Sequence, residues 1–294
     1  MRIAFVGFGL IAGSIARAVR ASGDASGWTM AAWSPTGRGP SEALADGIID
    51  VAGATPGEAL DGSNLVVLAG PVPACLAAMD DLAAGGRASS ALAPDAVVTD
   101  VASTKSTLLL RADELGLRYV GGHPMAGLES AGYRAGRPDL FAGRPWVIVP
   151  GHVAGPADVG RVTSLARVCG AETIEMDAET HDQAVAGISH LPLLLSAALA
   201  EAVAGASARD DPEGWATASR LAGGGWRDMT RLARGDPSMG AGIMATNAPA
   251  LAVRLRDLRT VLDRWQAELD APGDQDAAAI EERLRAVRAR LDAT

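Results

Sequence analysis

RIAFVGFGLIAGS, residues 2–14, decides the fold. The run RIAFV (2–6) is apolar and β-prone, which predicts a buried strand. Gly7, Gly9 and Ala12 follow as G-x-G-x-x-A, and the apolar stretch IARAVRA continues as a helix. Gly7 permits the tight turn, Gly9 lets a pyrophosphate approach the backbone, and the small Ala12 lets helix and strand pack closely. The N–H groups of Leu10, Ile11 and Ala12 at the helix start are free to hold phosphate oxygens. Taken alone, the motif also fits a tight strand–helix turn in another α/β protein. With a strand before it and a helix after it, it predicts a dinucleotide site.

Working outward, WTMAAW (Trp28–Trp33) reads as the second strand. An acid at its end would hold both ribose hydroxyls of NAD. The chain has Ser34 there, then Thr36 and Arg38, and Glu42 is expected to begin the next helix. Hydroxyls and a guanidinium suit a 2′-phosphate, so NADP is expected, with NAD as the alternative. Further strands are expected at Leu65–Ala69, closed by GPVP with Gly70, and at Ala96–Asp100, Leu117–Val120 and Pro145–Val149. Strands alternating with helices predict a Rossmann-type, doubly wound, mostly parallel sheet. Ligands in such sheets bind at the carboxyl ends of the strands.

Two strand-end loops carry chemistry. DVASTKS (100–106) offers the Ser103 hydroxyl and the Lys105 ammonium at a helix start. GGHPMAGLESAG (121–132) offers His123 on a loop between Gly and Pro, with the glycines expected to let a ligand approach. From residue 179 the texture changes to Ala- and Leu-rich helical runs at 179–207, 213–222, 240–267 and 276–292. Domains are therefore expected at 1–178 and 179–294, the second all-helical and forming a homodimer. His181 and Asp182 lie in the first helical run. His190 lies there too, beside Pro192, which is expected to break the helix and expose backbone. Arg227 and Arg231 stand one turn apart, either suited to clamp a carboxylate.

The 294 residues are 48% hydrophobic and carry a net charge of −9, which excludes a disordered chain and leaves no basic footprint for nucleic acid. Cys75 and Cys169 have no metal-ligand or disulfide spacing, so no metal is expected. No uncharged run of membrane-spanning length is read, since AVAGISHLPLLLSAALA is short and interrupted, and a cytoplasmic protein is expected.

In GFGLIAGS, DVASTKS, GGHPMAGLESAG, LFAGRPWVIVP (140–150), HDQAVAGISHLP (181–192), GGWRDMTRLA (224–233) and the helix ending in Asn247, the chain resembles the prephenate and arogenate dehydrogenase family almost end to end. The resemblance implies oxidative decarboxylation of a cyclohexadienol: hydride leaves C4 for the nicotinamide, the C1 carboxylate leaves as carbon dioxide, and the ring becomes aromatic. Prephenate would give 4-hydroxyphenylpyruvate in tyrosine biosynthesis. Arogenate would give tyrosine, and an amino-substituted prephenate is a third candidate. Neutral His123 suits acceptance of the hydroxyl proton. The resemblance assigns Ser103 to orient His123 beside the nicotinamide, His190 to the substrate side chain, Arg231 to a substrate carboxylate, and Lys105 to the substrate-binding residues, in support of the same loop. The chain departs from the family at Ser34, Leu193, Gly240 and Gly242. A 3-hydroxy acid or imine dehydrogenase, or a dinucleotide-binding sensor, would share the N-terminal motif but need none of the other stretches.

Overall fold

The computed structural model describes residues 1–83, 85–86, 91–128, 130–206, 212–270 and 277–293. Glu129 of the His123 loop, and Ser207 and Asp276 in the expected helical runs, lie outside the described residues. Five parallel strands, β1 (Arg2–Val6), β2 (Thr29–Trp33), β3 (Val51–Ala52), β4 (Leu65–Leu68) and β5 (Val97–Asp100), lie in the order β3-β2-β1-β4-β5. A second sheet holds β6 (Val120–Pro124), β7 (Pro145–Pro150) and β8 (Glu172–Glu175), with β6 antiparallel to β7 and β7 parallel to β8. A parallel bridge between Val98 and Tyr119 joins the two sheets at β5.

The helices are α1 (Leu10–Ala21), α2 (Arg38–Ala45), α3 (Pro56–Leu60), α4 (Val72–Leu82), α5 (Ser106–Glu114) and α6 (Pro156–Val168) in the first half. After them come α7 (Ala178–Val185), α8 (Leu191–Ala200), α9 (Pro212–Leu221), α10 (Gly224–Thr230), α11 (Pro237–Thr246), α12 (Ala248–Leu269) and α13 (Ala277–Leu291). Alternation along the strands divides the core. Ile3, Phe5, Leu65 and Val67 face α1 and α6, whereas Ala4, Val66, Leu68 and Val98 face α4 and α5. Both faces of the parallel sheet are covered, which is why its strands read as continuous apolar runs.

Several expectations need correction. The strand expected at Leu117–Val120 runs instead from Val120 to Pro124, so His123 is a strand residue paired with Val147. The glycines before it serve the protein's own packing. A Cβ on Gly122 would stand 2.6 Å from the Asp100 carbonyl oxygen, so only glycine lets β6 lie this close to the end of β5. β3 and β8 carried no apolar signal, the first for its two residues and the second because ETIE is largely exposed.

Pro192 does not break its helix. The π-helical turn Ala186–His190 directly precedes it, and this widening of the hydrogen-bond ladder accommodates the proline ring and its missing N–H within the continuing helix. One helix therefore runs from Ala178 to Gly205, 28 residues with a mean hydropathy of 1.5. That is long and apolar enough to cross a membrane, a length hidden by reading Pro192 as an end. Only 22% of its most apolar window is buried within the chain.

By packing, residues 1–251 form one compact unit and 252–294 a second. Within the first unit, α11 packs on α4 and α7 on α5. In the second unit, Arg283 pairs with Glu268 and lies over the Trp265 ring.

Candidate active site

The strand ends and the glycine loop surround a cleft of about 920 Å³. Gly7, Gly9, Ser34, Thr36, Arg38 and Gly70 line it, while Leu10, Ile11 and Ala12 form the first turn of α1 behind Gly9. Gly7 has φ +89°, and a Cβ there would stand 2.7 Å from the Ala69 oxygen. Gly9 differs: a Cβ there meets nothing within 4 Å. It would project into the space that the N terminus of α1 faces, and Gly9, the N-cap residue, has no side chain to cap that terminus. These features fit the pyrophosphate of a dinucleotide.

Glu42 corrects the sequence reading of the adenosine end. α2 begins at Arg38, so Glu42 sits one turn in, and its carboxylate lines the same cleft. It pairs with Arg38 at 3.1 Å and with Arg134 at 3.2 Å. The hydrogen bond from Arg38 is the largest influence on Glu42, and with the hydrogen bond and charge of Arg134 it outweighs burial and holds the group below the usual carboxylate pKa. Tyr133, beside Arg134, stacks on Phe8 and donates to Asp46, which ties this rim to the glycine loop.

The remaining functional groups meet around the loop after β5. The Asp182 carboxylate, from α7, accepts N–H hydrogen bonds from Lys105 (2.8 Å) and Ser106 (2.9 Å). It thereby caps the N terminus of α5, which has no side-chain cap of its own. The same carboxylate contacts His181 Nδ1 at 2.8 Å, and His181 Nε2 meets His123 Nδ1 at 2.8 Å. Asn247, ending α11, donates from Nδ2 to the Asp182 carbonyl oxygen (2.7 Å) and contacts His190 Nδ1 at 3.0 Å. His190 Nε2 is buried and makes no hydrogen bond of ordinary geometry among the described residues, with the Ser103 backbone close enough to act on the ring.

His123 and His190 are held neutral for physical reasons. Burial, reinforced by Lys105, His181 and His190 and opposed by Asp182, pushes His123 well below 6.5. Burial likewise pushes His190 down to about 4, against the attraction of Asp182. For Asp182 burial acts upward, but the hydrogen bonds from His181, Ser106 and Lys105 outweigh it and keep the group ionised.

Two expected roles change with this geometry. Lys105 is fully buried and ion-paired with Asp100, which also accepts from the Tyr119 hydroxyl. Its ammonium braces the loop and acts on His123 through its charge instead of facing a substrate. Ser103 is half-buried in the same loop, and the partner described for His123 Nδ1 is His181 Nε2. Arg231 is exposed at the end of α10, as is Arg227 within it. That segment is tied to α8 by the hydrogen bond from Ala233 N to Ser196 Oγ at 2.9 Å. His123, Ser103, His190 and Arg231 do not line the dinucleotide cleft.

Two family models match consecutively: prephenate dehydrogenase, nucleotide-binding domain, over residues 15–175, and prephenate dehydrogenase, dimerization domain, over 177–286. The chain belongs to the prephenate dehydrogenase family. A cyclohexadienyl dehydrogenase of Zymomonas mobilis is 30% identical over 91% of this chain and 85% of its own length. A prephenate dehydrogenase of Bacillus subtilis is 29% identical over 91% of this chain and 68% of its own. The crystal structure of Synechocystis arogenate dehydrogenase superposes with a TM-score of 0.78 at 29% identity, covering 99% of both chains. As a family member the protein is an oxidoreductase that dehydrogenates a cyclohexadienyl substrate with a nicotinamide dinucleotide.

In this prephenate dehydrogenase family member, sequence reasoning named His123 and His190 but gave His181, Asp182 and Asn247 no role. The available signal was the His–Asp pair on an apolar helix: ionisable groups on such a face need partners.

Proposed function

We propose that the protein oxidatively decarboxylates prephenate to 4-hydroxyphenylpyruvate, in the cytoplasm and as a homodimer, with NADP preferred. The observation that carries the chemistry is the buried cluster at the end of β5, where His123 and His190 are held neutral. When bound, the dinucleotide supplies the hydride acceptor. His123 accepts the proton of the substrate's C4 hydroxyl, which a neutral imidazole does and an imidazolium cannot. His190 donates from Nε2 to the substrate side chain, Arg231 pairs with a carboxylate, and Ser103 lies on the nicotinamide side. Burial of the cluster excludes water and strengthens these contacts. Loss of carbon dioxide is driven by aromatisation.

The domain reading that supports this is division at 178/179, close to where the two family models meet. Support for the dimer comes from the apolar Ala178–Gly205 helix, whose surface is largely uncovered within one chain. Support for a reducing compartment comes from Cys75 and Cys169, both free and buried, with thiols that burial pushes up to about 12.

The NADP preference rests on Ser34, Thr36 and Arg38 lining the cleft with no acid at the end of β2. A 2′-phosphate would take over Arg38 and Arg134 from Glu42. A second reading, arogenate as substrate, is favoured by the Synechocystis enzyme's match over the full chain. Steady-state assays with prephenate and arogenate, each with NADP and NAD, test all of this. Turnover of neither substrate would overturn the reading, and equal or better use of NAD would overturn the cofactor preference. Glu42→Gln should raise kcat/KM for NADP roughly three- to tenfold over NAD, and Arg38→Ala should lower it similarly.

A further inference from the structure

The contact between His123 and His181 is anchored at its far end by the Asp182 carboxylate. Asp182 is ionised and accepts only, so the proton on the His181–Asp182 bond sits on His181 Nδ1. With that one proton on His181, its Nε2 accepts and the 2.8 Å contact is made by His123 Nδ1–H. His123 is thereby left with its lone pair on Nε2, the nitrogen on the opposite side of the ring.

We propose that Asp182 and His181 form a relay that fixes His123 in the tautomer with Nε2 unprotonated and then shares the charge it acquires. His181 is a positioning residue in this scheme, and the scheme rests on the reading of His123 as the proton acceptor. The relay is buried throughout, with His181 1% and Asp182 4% exposed, so no water competes for these hydrogen bonds. Its rigidity comes from the other contacts of Asp182, which the Lys105 and Ser106 N–H groups fix to the start of α5. The groups facing His123 are Lys105 from the β5–α5 loop and His181, Asp182 and His190 from the long helix. The buried Lys105 ammonium disfavours an imidazolium on His123, and Asp182 favours one.

As the substrate O–H bond breaks, a bond forms from that proton to His123 Nε2. The Nδ1–H proton of His123 then moves to His181 Nε2, and the positive charge comes to rest beside Asp182. His123 is neutral again, with its proton on Nε2. Once hydride has passed to the dinucleotide and carbon dioxide has left, the phenolate oxygen takes a proton back from His123 Nε2 and the His181 Nε2 proton returns to His123 Nδ1, so atoms and charge balance without any further reagent.

The chain has four histidines, so the test is tractable by nitrogen NMR of histidine-labelled protein. The expected spectrum of the protein at neutral pH has His123 protonated on Nδ1 and bare on Nε2. In His181→Gln the amide oxygen still accepts from His123 Nδ1–H, so the tautomer is kept. In His181→Leu it is not. Turnover in His181→Leu should fall about 10²-fold, with KM for substrate and dinucleotide within about threefold of wild type. His181→Gln should recover at least tenfold of that loss. A proton on His123 Nε2 in the wild type overturns the relay, as does His181→Leu with undiminished kcat. If His181→Leu does not fold, the wild-type and His181→Gln spectra decide. The spectra need no substrate, so failure of the relay is separable from failure of the assigned reaction.

Discussion

The two glycines of the cofactor loop should fail in opposite ways when replaced by alanine. Gly7 has φ +89°, a conformation that costs a residue with a Cβ about 1–2 kcal/mol. Its Cβ would also stand 2.7 and 2.8 Å from the Ala69 oxygen and carbon and 3.0 Å from the Gly70 nitrogen. Those are backbone atoms that cannot swing aside, and overpacking of this kind costs about a further 1–3 kcal/mol. Gly7→Ala should thus destabilise the dinucleotide-free protein by about 2–5 kcal/mol. At roughly 2–4 °C per kcal/mol for a unit of this size, Tm falls by about 4–20 °C. Gly9 has φ −109° and open space where a Cβ would go. Gly9→Ala should leave Tm unchanged within about 2 °C and weaken dinucleotide binding at least tenfold, because the methyl group occupies the pyrophosphate's place. Thermal unfolding without cofactor and a fluorescence titration separate the two effects. Equal Tm values for the two variants, or normal binding by Gly9→Ala, would refute the reasoning.

His123→Asn should lower kcat by about 10²–10⁴ with dinucleotide Kd nearly unchanged, and near-normal turnover would remove His123 as the proton acceptor. Arg231→Ala should raise substrate KM by at least tenfold in a variant shown to be folded, and an unchanged KM would move the carboxylate contact to Arg227 or elsewhere. The depressed pKa values of His123 and His190 set the pH response of stability. Below the unfolded value of about 6.5 the unfolded chain binds protons that the folded one refuses, so stability is fully present above that pH. It should decline as pH falls from there toward 4. Tm measured between pH 7.5 and 4.5 tests this, and a flat profile would show that these histidines are not buried neutral. The acid limb of kcat/KM should likewise lie below pH 6.5, since His123 stays unprotonated there.

Much of the first half was legible because parallel strands covered on both faces are apolar end to end, and β1, β2, β4, β5 and β7 all read that way. His123 was legible as a residue but not as a strand position. Gly121 and Gly122 have poor β propensity, and what places them in β6 is the tight fit against β5, a tertiary contact invisible in the local sequence. The rim of the cleft was misread at α2. Gly37, with φ +64°, starts the helix at Arg38 and so brings Glu42 into the cleft beside it. The catalytic neighbourhood was the least legible part, because His123, Lys105, Asp182 and Asn247 come from four separate segments that only the folded chain brings together.

The π-helical turn at Ala186–His190 has a consequence for how the chain tolerates change. His181 and His190 are nine residues apart, which in an unbroken α-helix is about two and a half turns and would set the imidazoles on opposite sides. The wider turn slackens that rotation, so both rings reach the surroundings of Asp182 and Asn247. Deleting one residue between Val185 and His190 would restore the tighter and more regular hydrogen-bond ladder. It would also swing His190 and everything after it around the helix axis, taking the Leu-rich face of α8 with it. Selection for a sturdier helix and selection for turnover therefore oppose each other at this turn.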